Sequence, residues 1–268
     1  MRVALHVVHA RRERLTRLFH RHGYLPLAQV CRRLRISEAT ARRDLAALAR
    51  DRVITRTHGG ALAEYDRRFP SFGERRHQAR AAKREIAQAG RSVIGSGMTV
   101  FFDAGTTVHA IASAFAARPV PRVRAVTNNL PVAQVLAGVK GLGVQLVGGE
   151  FWGRQSVMVG PQAQRSLRLW RFDLALLGAE GMTAAGVWNS QADVVAFQRT
   201  AAGLSRRTVC CMDSSKLGRQ ARVFLLPWRR VDGLVTDARP SDLEAAGIAL
   251  APGQLVGAGA GGARKGRA

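Results

Sequence analysis

Two groups of residues in this chain have the types and spacing to do chemistry. The first lies between positions 35 and 61, RISEATARRDLAALARDRVITRTHGGA. Ser37 is a side-chain acceptor of the kind that takes up orphan N–H groups where a helix begins. Behind it Ala41, Leu45 and Leu48 recur at helical spacing and make one apolar stripe. Ser37, Glu38, Thr40, Arg42 and Arg43 therefore gather near the amino-terminal end and outer side of that helix. Short polar groups and guanidinium forks so placed can enter a major groove and reach base edges. After the helix, a short β-rich run carries Arg56 and His58 and closes at Gly59-Gly60, a wing suited to backbone phosphates.

The second group sits in loops that follow apolar strand-like runs. Asp103-Ala104-Gly105-Thr106-Thr107 opens a helix, and free N–H groups at a helix start favour an anion. Asn128 and Asn129 close the next run, and Gly148-Gly149-Glu150 the one after, with Arg154 just beyond. Glu180 lies in Gly178-Ala179-Glu180-Gly181, and Lys216 ends Asp213-Ser214-Ser215-Lys216. A phosphate held by Gly105, Thr106, Thr107 and Lys216, with hydroxyls read by Asn129 or Glu180, describes a phosphorylated sugar. Each residue also has a plainer role open to it: Asp103 and Asn128 as turn formers, Arg154 as a surface charge, Glu180 as a cap.

Elements must bring these residues together. Leu15, Leu18, Phe19 and His22 mark one face of a first helix ended by Gly23, with MRVALHVVHA as a frayed lead-in. Pro26 opens a second helix whose inner positions are Leu27, Val30, Cys31 and Leu34, and Arg35-Ile36 is the turn into the third. That order predicts a winged helix-turn-helix over 10–65. A polar connector and an amphipathic helix with Ala79, Ala82, Ile86, Ala89 and Val93 on one stripe fill 66–96. From 97 to 250, strands at 99–102, 123–126, 144–147, 172–177, 208–212 and 231–235 alternate with helices at 108–117, 130–137 and 194–204. Such alternation predicts an α/β domain on a largely parallel sheet, with its ligand crevice beyond the strand C-termini. The Gly/Ala-rich end, 251–268, reads as a disordered tail.

Composition narrows the partners. Net charge is +24 from 42 Lys+Arg against 18 Asp+Glu, which favours an anionic polymer. Residues 1–80 hold 19 basic against 7 acidic side chains and the remaining 188 hold 23 against 11, so the front is charged more densely. Only four of the 42 are lysines, so part of the excess is an arginine bias of the whole chain. No run reaches the ~18 apolar residues of a membrane span. Cys31, Cys210 and Cys211 match no zinc or redox spacing and read as buried thiols of a reducing cytoplasm.

SEATARRDL followed by THGGA resembles the DNA-binding module of DeoR-family bacterial transcription regulators. PSFGERR and KREIA resemble that family's inter-domain segment. DAGTT, VTNN, LVGGE, FDLALLGAEG and DSSKLG resemble, in order, its sensor domain, which is similar in fold to ribose-phosphate isomerases and amino-sugar-phosphate deaminases. The likeness runs from Arg11 to Asp237. It implies a cytoplasmic homo-oligomer without cofactor or metal, usually a repressor, released from double-stranded operator DNA by a phosphorylated sugar or related metabolite. The chain departs from the pattern at Ala41, where a larger aliphatic residue is usual, and at Glu180, where aspartate is usual. It departs again at Gln198-Arg199, where a Lys-Arg pair is usual. Two alternatives stay open: a DNA-binding protein with a vestigial sensor, and an isomerase- or deaminase-type enzyme, which would need a general base and a second proton carrier.

Overall fold

A computed structural model describes residues 5–22, 24–51, 54–57, 60–63 and 70–256. The chain forms two compact units, Met1–Pro70 with Arg219–Arg222, and Ser71–Gly218 with Val223 onward. In the first, α1 (Leu5–His22), β1 (Tyr24–Pro26), α2 (Leu27–Leu34) and α3 (Glu38–Arg50) precede β2 (Ile54–Thr57) and β3 (Gly60–Ala63). The strands pair antiparallel in the order β1-β3-β2. Leu15, Phe19, Leu25, Val30, Ala41, Leu45, Leu48 and Ile54 form its core, with Leu18, Leu27, Cys31 and Leu34 packed against them. Cys31 is thus half-buried rather than buried. The turn into α3 is made by Arg35 in the left-handed region, φ 54°, with Ile36 N–H donating to the Cys31 carbonyl at 3.1 Å. The expected frayed lead-in is helical from Leu5 onward. Gly23, His58 and Gly59 lie outside the described residues.

The second unit begins with α4 (Phe72–Arg76) and α5 (Arg80–Ser92), separated by a turn at Ala79, which has φ 48°. One continuous amphipathic helix was the expectation. The chain instead breaks there, and the buried stripe is Lys83, Ile86, Ala87 and Gly90, while Ala79 is exposed. Gly90 is where α5 meets α6 (Thr106–Ala117): a Cβ there would stand 2.5 Å from Ile111 Cδ1.

The main sheet is six-stranded and parallel throughout, in the order β14-β12-β9-β4-β5-β6. Its strands are β4 (Thr99–Phe102), β5 (Arg124–Thr127), β6 (Gly143–Leu146), β9 (Phe172–Gly178), β12 (Ser205–Cys211) and β14 (Gly233–Val235). Helices α6, α7 (Leu130–Ala137) and α9 (Ala192–Gly203) follow strand ends, as the alternation predicts. One core holds Val100, Phe102, Val108, Ile111, Phe115 and Leu136; the other holds Phe101, Leu177, Phe197, Cys210 and Leu234. Burial pushes the Cys210 thiol up to about 12 and Cys211 well above its ordinary value, so both behave as packing groups.

Several short elements had no period long enough to read. These are the hairpin β7 (Glu150–Trp152) and β8 (Val157–Val159), α8 (Gly160–Arg168), and the antiparallel set β10 (Gly181–Thr183), β11 (Gly186–Asn189) and β13 (Val223–Leu226). A last helix, α10 (Pro240–Ala245), follows β14. Residues 251–256, expected within a disordered tail, are part of the fold: Gln254 is buried and donates to the carbonyls of Trp228 and Val231, and Val256 N–H donates to the Leu234 carbonyl. Residues 257–268 lie outside the described range. Among the described residues no helix is long and apolar enough to cross a membrane.

Candidate functional site

In the first unit the residues expected to read DNA fall on the outer side of a packed helix. Ala41, Asp44, Leu45, Ala47 and Leu48 are buried, whereas Ser37, Glu38, Arg42 and Arg43 are exposed and Thr40 is half-exposed. Ser37 is the N-cap: its hydroxyl accepts from Thr40 N–H at 3.3 Å and shares a 3.0 Å hydrogen bond with the Thr40 hydroxyl. Arg42 lies 3.3 Å from Glu38, one helical turn back. Arg43 makes no ion pair among the described residues, so of the two guanidinium groups it is the less committed. Arg56 is in β2, where only the backbone is described, and His58 is outside the described residues.

Sequence reasoning missed Asp44. Its carboxylate is 1% exposed and takes Arg11 Nε at 2.5 Å and Arg12 Nε at 3.1 Å. The pair fixes the roll of α3 against α1, and with it the direction in which Arg42 and Arg43 point. The signal was there: Asp44 sits beside Leu45 on the buried stripe, where a lone carboxylate requires a cation.

In the second unit the six strands of the main sheet run the same way, so the loops at their carboxyl ends lie at one edge of it. Helix α6 starts there without a side-chain cap, because its N-cap is Gly105. Gly105 has φ 141°, a conformation that favours glycine, and a Cβ would meet nothing within 4 Å. Space is therefore open beside Gly105 at the start of α6, while Thr106 and Thr107 in its first turn are buried.

Asp103 is fully buried under this loop. Its Oδ2 accepts from Gly178 N–H at 3.0 Å and from Gln198 Nε2 at 2.5 Å, while Oδ1 has no partner among the described residues. Burial pushes its carboxyl up to about 7, and the hydrogen bonds from Gln198 and Gly178 oppose that only in part. Gln198 also donates to the Gly178 carbonyl at 2.7 Å and accepts from Asn189 Nδ2 at 3.0 Å. Arg199 turns elsewhere, to the Phe224 and Leu225 carbonyls of β13.

The remaining candidates divide. Asn128 is buried; its Nδ2 donates to Met158 O at 3.5 Å, and its Oδ1 is unpartnered among the described residues. Asn129 is committed to the fold: Oδ1 caps α7 through Val132 N–H at 3.0 Å and Nδ2 donates to Ser156 O at 2.8 Å. Its expected role in reading ligand hydroxyls is thus replaced by helix capping. Arg154 lies in the exposed β7–β8 turn, 3.9 Å from Glu74. Glu180 accepts from the Ser190 hydroxyl. Lys216 ends a short 3₁₀ turn capped by Asp213.

Lys83 is the residue the sequence did not reveal. It is 7% exposed and donates to the carbonyls of Arg75 at 2.6 Å and Gln78 at 2.7 Å, closing the end of α4. Burial pushes its ammonium down to about 8; Asp213 opposes the shift, and Lys216 and Arg75 add to it. Lys83 therefore belongs to the same electrostatic neighbourhood as the Asp213–Lys216 loop. At the start of α4 Phe72 packs edge-on against His109, ring centroids 5.5 Å apart, and burial lowers the His109 pKa.

Residues 11–65 match the DeoR-like helix-turn-helix domain, and residues 78–238 match the DeoR C terminal sensor domain. The chain is 31% identical over 224 residues to the glycerol-3-phosphate regulon repressor of Escherichia coli, covering 83% of this chain and 88% of that one. It is 28% identical over 221 residues to the HTH-type transcriptional repressor GlcR of Bacillus subtilis, with coverage of 82% and 84%. It is 29% identical over 238 residues to the lactose phosphotransferase system repressor of Lactococcus lactis, with coverage of 87% and 93%. Among solved structures, ribose 5 phosphate isomerase A of Neisseria gonorrhoeae aligns over 53% of this chain and 54% of that one, at TM-score 0.39 and 16% identity.

Proposed function

The chain belongs to the DeoR family, with a DeoR-like helix-turn-helix domain ahead of a DeoR sensor domain, and on that premise we propose that it is a transcriptional repressor whose hold on operator DNA is controlled by a phosphorylated sugar or related metabolite. The observation that carries this reading is the outward face of α3, where Arg42 and Arg43 stand exposed on a helix whose other face is packed. Such a helix presents bidentate donors to guanine edges, each worth roughly 1–3 kcal/mol of discrimination. Backbone contacts from the wing, with Arg56 and His58, hold it in register.

The effector binds at the carboxyl edge of the parallel sheet. First-turn N–H groups of α6, the hydroxyls of Thr106 and Thr107, and the Lys216 ammonium take the anion. Glu180 and Asn128 serve its hydroxyls, and Arg154 closes the side. The reading of a switch and not a catalyst is supported by Asp103 being fully buried, Glu180 bonded to Ser190 and His109 packed against Phe72. An effector shifts the DNA-binding equilibrium only by its differential affinity for the two states, typically ~1–3 kcal/mol. It works as a homo-oligomer in the cytoplasm.

Two measurements test this. Arg43→Ala should lower the ratio of operator to random-duplex affinity about tenfold or more; an unchanged ratio removes Arg43 from the reading face. A thermal-shift series with phosphorylated sugars should raise the melting temperature in the parent chain and less in Lys216→Ala, because ligand bound only to the folded state stabilises it. Equal shifts in both would remove Lys216 from the site.

A further inference from the structure

We propose that the end of the second unit's sheet opposite the effector crevice is a binding face for the phosphate backbone of duplex DNA. The two ends of the sheet differ in charge. At the carboxyl end both signs occur: Glu180, Asp213 and Asp237 stand two residues beyond β9, β12 and β14 and Glu150 beyond β6, with Lys216 and Arg239 among them. At the amino end arginine predominates. Arg118 and Arg122 are in the loop feeding β5, Arg124 begins β5, Arg171 immediately precedes β9, and Arg206 and Arg207 lie at the start of β12; all six are exposed.

The carboxylates at this amino end are already engaged with the fold. Asp173 accepts from Thr99 N–H at 2.9 Å and Asp232 from Thr208 N–H at 2.7 Å, tying the first residues of β4 and β12. Only Arg206 also reaches one of them, Asp173, at 3.3 Å. Arg118, Arg122, Arg124, Arg171 and Arg207 make no ion pair among the described residues. Exposed arginines also stand elsewhere on this unit, Arg80, Arg84, Arg165 and Arg239 among them, but at this edge six line neighbouring strands of one sheet.

The geometry fits a polyanion. From β12 through β9 and β4 to β5 there are three inter-strand steps, about 15 Å at the usual strand spacing. Duplex DNA carries one charge per ~1.7 Å of axis, so that width faces several phosphates at once. A lipid surface would need an apolar side to insert. At this edge Leu169 is the exposed large apolar side chain among the described residues, and Trp170 lies under the Arg124 guanidinium, 5.9 Å from ring centroid to carbon. The row lies along a sheet edge and not on a helix that could enter a groove, so its guanidinium groups meet phosphates; the contact is sequence-independent and adds to the affinity of the first unit without altering its preference.

The test uses the full chain and a random duplex, with binding measured across salt. Arg118→Glu, Arg171→Glu and Arg207→Glu together should reduce the slope of log K against log salt by about 1–3, since each lost phosphate contact removes roughly 0.9. A control triple, Arg80→Glu, Arg84→Glu and Arg239→Glu, changes net charge equally and should keep the parent slope. Should the first triple prove unfolded by circular dichroism, Arg→Gln at the same three positions gives the same reading. A slope left unchanged in the folded variant, or changed equally by the control, overturns the proposal.

Discussion

Replacing Asp103 by asparagine should make the protein's stability less dependent on pH, most steeply between the ordinary carboxyl value of 3.8 and the folded value of about 7, and still measurably between pH 6 and 8. The folded chain raises the Asp103 carboxyl from 3.8 to about 7, first through burial. A carboxyl with a higher pKa folded than unfolded holds its proton in the native state where the unfolded chain has lost it. Stability from this group is therefore full below the unfolded value and falls as pH rises through the folded one. Holding the carboxyl at about 7 in place of 3.8 corresponds to ~4 kcal/mol across the whole window. Of that, ~1.4 kcal/mol is lost between pH 6 and 8, or ~3–6 °C in melting temperature for a chain of this size. His109, whose pKa burial lowers, contributes with the opposite sign, losing stability as pH falls through its range. It is common to both proteins and cancels in the comparison. Asparagine keeps an acceptor for Gly178 and Gln198 but buries an amide donor without a partner, at a cost of ~1–3 kcal/mol. That cost does not vary with pH. The assay is thermal or urea unfolding of parent and Asp103→Asn at half-unit pH steps, with Gln198→Lys as a second variant that supplies a cation to hold the carboxylate ionised. If the parent and Asp103→Asn lose stability in parallel from pH 6 to 8, the carboxyl is not the titrating group and the reasoning fails.

Two further substitutions probe the supports of the two sites. Asp44→Ala leaves Arg11 and Arg12 without their shared carboxylate; because both guanidinium groups reach solvent, the expected loss is ~1–3 kcal/mol in urea unfolding, below that of a fully buried pair. Operator affinity should fall with it while random-duplex affinity changes less, since α3 loses its fixed roll. Lys83→Met keeps the volume but strips the Arg75 and Gln78 carbonyls of their donor, at ~1–3 kcal/mol; a thermal-shift response to sugar phosphates weaker than the parent's would put its charge in the anion's field, and an equal response would leave it purely structural.

The elements that the sequence made legible are those with a period. The apolar stripe of α3 and the strand–helix alternation from β4 to α7 are set by burial on one face, and burial leaves a repeating trace in residue type. The α4–α5 break left none, because Ala79 fits a helical stripe as readily as it fits the left-handed turn it occupies. Three-residue strands such as β7, β8 and β10 are too short for alternation to register. Polar sites are harder still. Asn128 and Asn129 are adjacent and identical, yet one caps a helix and the other keeps a buried oxygen without a partner among the described residues. What separates them is which way the backbone turns between β5 and α7, and that depends on the hairpin at 150–159, distant in sequence.

Gln198-Arg199 shows the same limit and what it implies for the crevice. As a dipeptide it reads as one departure from a doubly charged pair. In the structure its halves serve different neighbours: Arg199 closes carbonyls at the end of β13, while Gln198 bridges Asp103, Gly178 and Asn189. A cation at position 198 would hold Asp103 ionised and make a fixed, charge-balanced wall. The neutral amide instead leaves the balance to a proton on Asp103, because an unpaired buried carboxylate is costlier than a protonated one. Position 198 then gives an incoming phosphate no positive charge. In the proposed site the attraction comes from the uncapped start of α6 and from the Lys83–Lys216 side of the edge, where Asp213 already moderates the field. On that reading the anion is drawn to the Thr106 and Lys216 loops, and Asp103 supports the loop beneath it.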